Sequence, residues 1–323
     1  MRWLVTGGLG FIGSHFIRLA LARLPELEIV NLDAVTYAGN PANLADVEGV
    51  SRYRFFKGDI RDRAAVHGAL SGGADAIVNF AAETHVDRSI ADPEAFLRTD
   101  VLGAFVLLEA ARELAIPRYL QVSTDEVYGE VREGESLESD PLRPRSPYAA
   151  SKAAADLQAL AYYATYGTPV LVTRGCNTYG PNQYPEKIVP LFVTNLLDDR
   201  PVPLCGDGEQ IRDWLFVEDH ALAILRVLES GRIGEVYNVG AGSPRTNVEL
   251  TRMLVRGCGR SMETHVRHVT DRLGHDRRYA VNAERMHALG WKPRVGLNEG
   301  IATTIDWYRR NESWWRPLRE RHG

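Results

Sequence analysis

The chain has 323 residues, of which 45% are hydrophobic and 25% charged, a composition typical of a globular protein with a full hydrophobic core. The formal net charge of −4 argues against a general nucleic-acid binder, so any phosphate recognition must come from local basic residues. The cysteines, Cys176, Cys205 and Cys258, are far apart, which favours neither a disulfide framework nor a metal site and indicates a reducing compartment. No apolar run is as long as a membrane span. We therefore expect a soluble cytoplasmic protein without a membrane or nucleic-acid partner.

The chain opens on a strand and a glycine-rich turn. Residues 3–6 are apolar without alternation, as in buried parallel strands, and Gly7, Gly10 and Gly13 follow. Such glycines permit a tight turn, a close approach of the backbone to a phosphate, and close packing of helix on strand. A helix from about Phe11 to Ala22 would aim its first amides at an anion. The spacing differs from the usual G-x-G-x-x-G, so a turn of purely structural use is an alternative.

A second predicted strand, residues 28–33, ends in Asp33, twenty residues after Gly13. An acid there can accept a hydrogen bond from a ribose 2′-hydroxyl and would repel a 2′-phosphate. The residues that follow, Ala34, Val35 and Thr36, offer no cation. The pattern therefore favours NAD over NADP, unless Asp33 only caps a loop.

Further strands alternate with helical patterns of ten or more residues, which is typical of βαβ units and a parallel sheet. The predicted fold class is α/β, a doubly wound Rossmann sheet with a smaller C-terminal substrate lobe. We expect residues 1–175 to form the NAD-binding domain and residues 176–323 mainly the substrate lobe, with some segments returning to the sheet. The later elements are predicted as strands at 53–57, 76–80, 118–122, 169–174 and 235–239, and as helices at 94–114, 148–166 and 189–197.

Proton-handling residues follow the fifth strand. Thr124, Asp125 and Glu126 stand at its carboxyl end, where open α/β sheets bind ligands. Downstream, Tyr148 and Lys152 are four residues apart and so share one helix face. Because consecutive residues of a regular strand face opposite sides, both acids can serve one pocket only if the strand has ended by Asp125. The alternatives are a solvated acidic loop and a Tyr/Lys pair that merely shares a surface turn.

Taken together, these motifs resemble those of the extended short-chain dehydrogenase/reductases and, within them, the dTDP-glucose 4,6-dehydratases. Thr124, Asp125 and Glu126 distinguish these dehydratases from other members of the family. Epimerases of the family generally lack the acid pair, and GDP-mannose dehydratases have only the Glu. The resemblance runs essentially end to end, and departs from the family pattern at Leu273, where the family has Pro. The choice between a thymidine and a uridine nucleotide stays open. Further matching segments are residues 81–89, 177–182, 185–187, 210–214 and 271–276.

The resemblance implies a lyase that dehydrates a nucleoside-diphosphate hexose, expected to be dTDP-glucose, to its 4-keto-6-deoxy sugar in deoxysugar biosynthesis. Oxidation at C4 makes the C5 proton removable, and NAD takes the C4 hydride and returns it to C6. By resemblance, Tyr148 is the base for the 4-hydroxyl, Glu126 the base at C5 and Asp125 the acid at the leaving 6-hydroxyl. Thr124 would then hydrogen-bond the developing C4 oxyanion.

Two electrostatic expectations accompany these roles. A phenol has a pKa of about 10, and we expect Lys152, with the nicotinamide cation nearby, to lower the pKa of Tyr148. Repulsion between adjacent carboxylates should raise one pKa and help to keep Asp125 protonated.

The resemblance also implies two sets of binding residues and a homodimer formed by the helices at 94–114 and 148–166. Lys187, Arg212, Arg272 and Arg278 are candidates to clamp a diphosphate, Asp59 could reach an adenine amine, and His85 either touches the sugar or caps a loop. The cofactor set is Gly7, Gly10, Phe11, Ile12, Gly13, Asp33, Asp59, Ile60, Ala81, Ala82, Thr99, Tyr148, Lys152 and Thr178. The substrate set is His85, Thr124, Asn177, Lys187, Ile188, Arg212, Asn247, Arg272 and His275.

Three other functions remain open. The enzyme alternatives are a nucleotide-sugar 4-epimerase and a dehydratase of another sugar nucleotide, and the non-enzyme alternative is an NAD-binding regulatory protein. A binding module has no need of five proton-handling groups, which favours an enzyme.

Overall fold

The computed structural model describes residues 1–320, so the last three residues of the predicted substrate lobe lie outside it. The strands are β1 Arg2–Thr6, β2 Glu28–Asp33, β3 Tyr53–Lys57, β4 Ala76–Asn79, β5 Tyr119–Thr124, β6 Val170–Gly175, β7 Asn177–Tyr179, β8 Val202–Cys205, β9 Ile211–Phe216, β10 Val236–Val239, β11 Pro244–Thr246 and β12 Val266–Val269.

The helices enclose the sheets and include two short 3-10 turns, Pro41–Leu44 and Asp125–Tyr128, and one π-helical segment, Leu97–Gly103. The α-helices are α1 Phe11–Arg23, α2 Arg63–Ala69, α3 Val86–Ala91, α4 Pro93–Phe96, α5 Ala104–Glu113, α6 Pro147–Tyr166, α7 Ile188–Leu197, α8 Val217–Ser230, α9 Asn247–Gly257, α10 Met262–His265, α11 Glu284–Ala288, α12 Leu297–Arg310 and α13 Glu312–Glu320.

The main sheet has seven parallel strands in the order β10-β6-β5-β4-β1-β2-β3. This is the doubly wound order, whose switch point between β1 and β4 is where ligands bind. Strand β10, late in the chain, pairs with β6 at one edge of this sheet.

Each face of the sheet packs on its own helical layer. Alternate residues of β1 point to opposite sides, as the period of a strand requires: Trp3 and Val5 join the core with α1 and α8, and Leu4 joins the core with α2, α5 and α6. Both faces are thus covered, which explains why the strands read as near-continuous apolar runs.

A second lobe stands over the carboxyl end of the sheet. It contains a three-stranded sheet, β11-β9-β7, and the two-stranded pair β12-β8. Helices α7, α9 and α12 pack around buried aromatic and aliphatic residues that include Phe192, Trp214 and Tyr308. The predicted helix at 189–197 is confirmed as α7.

The helix predicted at 94–114 is interrupted. Between α4 and α5 the chain widens into the π-helical segment Leu97–Gly103. Within it the carboxylate of Asp100 accepts hydrogen bonds from the Glu83 amide and the Ser151 hydroxyl. These are tertiary contacts that hydrophobic periodicity does not report. Among the described residues, no helix is both apolar and long enough to span a bilayer.

Candidate active site

The residues of both predicted sets line one large cleft of 1490 Å³ between the carboxyl edge of the main sheet and the second lobe. The fold therefore brings together the residues of both predicted sets and the acid pair, Asp125 and Glu126. The cleft walls come from the turns after β1, β2, β3, β4 and β5, from α6, and from the start of α7 together with the segment around Arg272.

The glycine turn fits a dinucleotide phosphate. Gly7 has φ +68°, and a Cβ there would lie 2.6 Å from the Ala81 nitrogen in the turn after β4. A Cβ on Gly13 would lie 2.6 Å from the Gly7 carbonyl oxygen. Helix α1 then begins after Gly10 with no side-chain cap and no acid in its first turn, so its first N–H groups are available to an anion.

Asp33 closes this turn and also faces the cleft. Its carboxylate oxygens accept the N–H groups of Leu9 at 2.9 Å and Val35 at 2.8 Å. Burial raises the pKa of Asp33, although these two bonds oppose the shift. Each carboxylate oxygen has more than one acceptor site, so Asp33 can cap the loop and still accept a ribose hydroxyl. The two interpretations of Asp33 are therefore compatible.

Both acids turn into the cleft because β5 stops at Thr124. The 3-10 turn starts at Asp125, and Gly129 ends it with φ +75°; a Cβ on Gly129 would clash with the Arg143 carbonyl oxygen. The Thr124 side chain accepts the Glu126 N–H at 3.3 Å and donates to Asp125 at 3.3 Å. The requirement that the strand end before the acid pair is met.

The two acids differ in electrostatic environment. Burial, followed by repulsion from Glu126, raises the pKa of Asp125 to about 8, so it carries a proton at neutral pH as predicted. Burial also raises the pKa of Glu126, but Arg212, Lys187 and Arg272 oppose that shift. Two carboxyls whose environments separate their pKa values are suited to an acid and a base role.

Tyr148 and Lys152 project from α6 toward the acid pair. The Tyr148 hydroxyl is hydrogen-bonded to the Thr124 side chain, but its pKa lies well above the ordinary value because of burial and of the carboxylates Glu126 and Asp100. Lys152 alone therefore does not give Tyr148 a lowered pKa, and the predicted lowering by Lys152 together with the nicotinamide cation stays a prediction. Lys152 is itself buried and donates to the Val122 carbonyl at 2.8 Å, and burial lowers its pKa.

Three of the four predicted clamp residues face the cleft. Lys187 donates to the Thr84 carbonyl, Arg212 lies over the Tyr279 ring at 4.2 Å, and Arg272 pairs with Asp87 at 2.5 Å. The prediction for Arg278 is wrong, since its guanidinium donates to the Val131 and Gly134 carbonyls at 3.1 and 2.8 Å on the neighbouring loop.

Several other predicted residues already contact neighbouring side chains, which compete with a ligand for the same polar atoms. The carboxylate of Asp59 is held by Arg61 at 2.6 Å, which competes with an adenine amine. His275 contacts Asp271 at 2.6 Å, and Thr178 contacts His220 at 2.7 Å. Burial lowers the pKa of His85 to about 4, so it lines the cleft as a neutral imidazole.

Buried polar atoms without a protein partner also face this region. Among residues 1–320 they include Asp125 Oδ2, Asn177 Oδ1 and His85 Nδ1. Buried polar groups are normally hydrogen-bonded, so these atoms are the natural contacts for a polar ligand.

Sequence reasoning missed Asp100 and Cys176. Asp100 accepts a hydrogen bond from Ser151 of α6. In the sequence, however, it lies within a helical pattern of apolar residues and belongs to no recognisable motif. Cys176 lines the cleft next to Asn177, and its isolation in the sequence offered no signal.

A parallel sheet with a glycine turn at its switch point, and an acid pair beside a Tyr/Lys pair, define a dinucleotide-binding α/β enzyme. The family model of GDP-mannose 4,6 dehydratase matches residues 4–304. The chain is 49% identical to a dTDP-glucose 4,6-dehydratase of Streptomyces niveus, over 99% of this chain and 96% of that protein. It is 51% identical to one of Streptomyces antibioticus, over 99% and 96%.

Solved structures agree. DesIV, a dTDP-glucose 4,6-dehydratase of Streptomyces venezuelae crystallised with NAD and dTDP, superposes with a TM-score of 0.96 at 52% identity, over 98% of this chain and 100% of that chain. The chain belongs to the dTDP-glucose 4,6-dehydratase family, which confirms the resemblance found in the sequence.

The raised pKa of Asp125 predicts a pH-dependent stability difference. A carboxyl whose folded pKa is raised stabilises the native state at low pH, and that contribution is lost as pH rises toward the folded value. Asp125→Asn removes this loss. Its free energy of unfolding should therefore gain on that of the wild type by about 5 kcal/mol between pH ~4 and pH ~8, as measured by urea unfolding.

The exposed helix-capping acid Asp62 provides the control, since Asp62→Asn should run parallel to the wild type over that range. Parallel curves for Asp125→Asn as well would contradict the assignment of a protonated Asp125.

Proposed function

We propose that this protein is an NAD-dependent hydro-lyase that converts dTDP-glucose to the 4-keto-6-deoxy sugar by oxidation at C4, loss of water across C5 and C6, and hydride return to C6. The observation that carries the proposal is the acid pair: Asp125 is buried and protonated at neutral pH, next to Glu126, whose pKa three cations act to lower. Both belong to the cleft that contains Tyr148.

The residues divide the proton transfers among them. NAD, when bound, supplies the hydride acceptor and donor. Tyr148, bonded to Thr124, takes the proton of the sugar 4-hydroxyl, and its raised pKa requires a cation to stabilise the phenolate, a role for Lys152. Glu126 removes the C5 proton, and Asp125 gives its proton to the departing 6-hydroxyl. Glu126 then returns a proton to C5 as C6 is reduced. Thr124 donates a hydrogen bond to the C4 oxyanion.

The site residues divide between the two parts of the fold. We assign residues 1–175 mainly to the cofactor and residues 176–323 mainly to the sugar nucleotide, apart from β10 in the main sheet. Lys187, Arg212 and Arg272 are assigned to the diphosphate, because they are cations that line the cleft beside the acid pair and cations bind phosphate groups strongly. The remaining substrate contacts are assigned to His85, Asn177, Ile188, Asn247 and His275, all of which line the cleft.

A 4-epimerase and a dehydratase of another sugar nucleotide are the competing activities. The acid pair supports elimination, since epimerisation transfers no proton at C5 or C6. Incubation with a panel of sugar nucleotides discriminates by product mass: loss of one water supports the dehydratase, unchanged mass supports an epimerase, and NAD binding with no turnover supports a regulatory protein.

We also propose a homodimer in the cytoplasm. Leu97 and Leu102 of the π-helical segment, and Leu157 and Tyr166 of α6, are between 46% and 59% exposed, and α6 packs against the π-helical segment and α5. Paired with a second copy, these neighbouring helices would bury that apolar surface. The free thiols of all three cysteines suit a reducing compartment.

Replacement of the proposed C5 base should separate the two halves of the reaction. Glu126→Gln keeps the shape of the side chain but cannot accept the C5 proton, so water loss should fall by about 10² or more. Oxidation at C4 should persist, seen as single-turnover nicotinamide absorbance. Glu133→Gln, an exposed acid on the following loop, should behave as the wild type. Equal losses in oxidation and elimination would contradict the role of Glu126.

The dimer proposal makes a separate prediction. Leu97→Glu together with Leu157→Glu introduces charge on the apolar helix surface and should yield monomers by sedimentation velocity at concentrations where the wild type is dimeric. Leu137→Glu, at a loop residue that is 47% exposed, should leave the dimer intact. A double variant that sediments as the wild type would exclude this interface.

A further inference from the structure

Asp100 connects three parts of the active site without belonging to either predicted residue set. It lies in the π-helical segment and is 3% exposed. One carboxylate oxygen accepts the Glu83 N–H at 2.8 Å, and the other accepts the Ser151 hydroxyl at 2.6 Å. Asp100 therefore ties the turn after β4 to α6, one residue before Lys152.

The charge of Lys152 is surrounded by a specific set of groups. Lys152 is buried with its Nζ on the Val122 carbonyl, and the two carboxylates that favour its charged form are Asp100 and Asp156. Asp156 is already paired with the buried Arg174 at 2.9 Å. Among residues 1–320, Asp100 forms no salt bridge within 4 Å, and Lys152 is the cation whose charge acts on it. Asp100 is thus the carboxylate left to balance Lys152.

The titratable groups around Asp100 are carboxyls, a phenol and the ammonium of Lys152. Glu83 comes from the turn after β4, Tyr148 and Lys152 come from α6, and the charge of Asp100 acts on all three. Glu126, from the turn after β5, acts with Asp100 on Tyr148. A single negative charge therefore influences both members of the Tyr/Lys pair.

We propose that Asp100 is a positioning residue whose negative charge keeps Lys152 protonated beside Tyr148, while its two oxygens hold the turn after β4 against α6. The proposal rests on the proposed function for the meaning of the Tyr/Lys pair, but its principal test does not require turnover.

The sign of the effect is the same for both residues. A nearby negative charge favours the ammonium of Lys152 and disfavours the phenolate of Tyr148, so its removal lowers both pKa values. Asp100→Asn is close in shape, and its amide can still accept from the Glu83 N–H. We therefore expect the variant to displace titrations to lower pH and to leave the fold in place.

The chain offers an unusually simple spectroscopic test, because it contains four lysines: Lys57, Lys152, Lys187 and Lys292. In ¹³Cε-lysine NMR of the full-length protein, the Lys152 signal is assigned by its absence in Lys152→Met. Its titration midpoint should fall by about one pH unit in Asp100→Asn, with the Lys57 and Lys292 midpoints unchanged. A Lys152 midpoint equal to the wild-type value would overturn the proposal.

The wild-type protein supplies a second measurement that does not depend on the folding of a variant. Burial raises the pKa of Asp100 to about 6, so the Lys152 signal should show a second inflection near that pH. A signal without this inflection would count against a charge on Asp100 that Lys152 senses.

Ser151→Ala is the matched control, since it removes the hydrogen bond to Asp100 but keeps the carboxylate. The Lys152 midpoint should then stay at its wild-type pH; a shift as large as that of Asp100→Asn would assign the effect to hydrogen bonding and overturn the charge role.

In assays with dTDP-glucose, the bell-shaped pH profile of Asp100→Asn should move to lower pH as a whole. A lower amplitude with both limbs in place would mean a merely structural role. If the wild type fails to turn over dTDP-glucose while the NMR shift is observed, the proposed function fails and the inference about Lys152 stands.

Discussion

The end of strand β5 is the constraint on which the site depends. Continued for two more residues, the strand would send Asp125 and Glu126 to opposite faces of the sheet. Instead the chain enters a 3-10 turn at Asp125, fixed by the Thr124 side chain and by the left-handed conformation of Gly129. Both carboxyls then join the cleft that Tyr148 lines. A short local interaction thereby converts two adjacent acids into two groups with different protonation.

Electrostatic balance then decides what each group can do. Burial alone pushes every carboxyl toward its neutral form and every ammonium likewise, and the site counters this selectively. Glu126 has three cations near it, whereas Asp125 has the repulsion of Glu126 in addition to burial. Lys152 has the carboxylates of Asp100 and Asp156. The cleft therefore contains two carboxyls with different environments and a buried lysine near two carboxylates.

Much of this could be predicted from the sequence, because the informative features are local. Strand β2 and its terminal Asp33 follow from an apolar run of fixed length, and the glycine turn follows from spacing. The π-helical segment and Asp100 could not be predicted, since their contacts join residues 17 and 51 positions apart. The prediction that Arg278 binds a diphosphate was wrong for a related reason. The sequence places a basic residue near a motif, but it does not show that the Arg278 guanidinium donates to carbonyls of a neighbouring loop. The direction of the Tyr148 pKa required knowledge of burial.

The transfer of hydrogen within a single substrate molecule tests the central claim most directly. If the acids and the Tyr/Lys pair act in one cleft on one sugar, dTDP-glucose deuterated at C4 should give a product with the deuterium at C6, as read by mass spectrometry and NMR. Deuterium that remains at C4, or that is lost from the product to free reduced nicotinamide, would contradict the account.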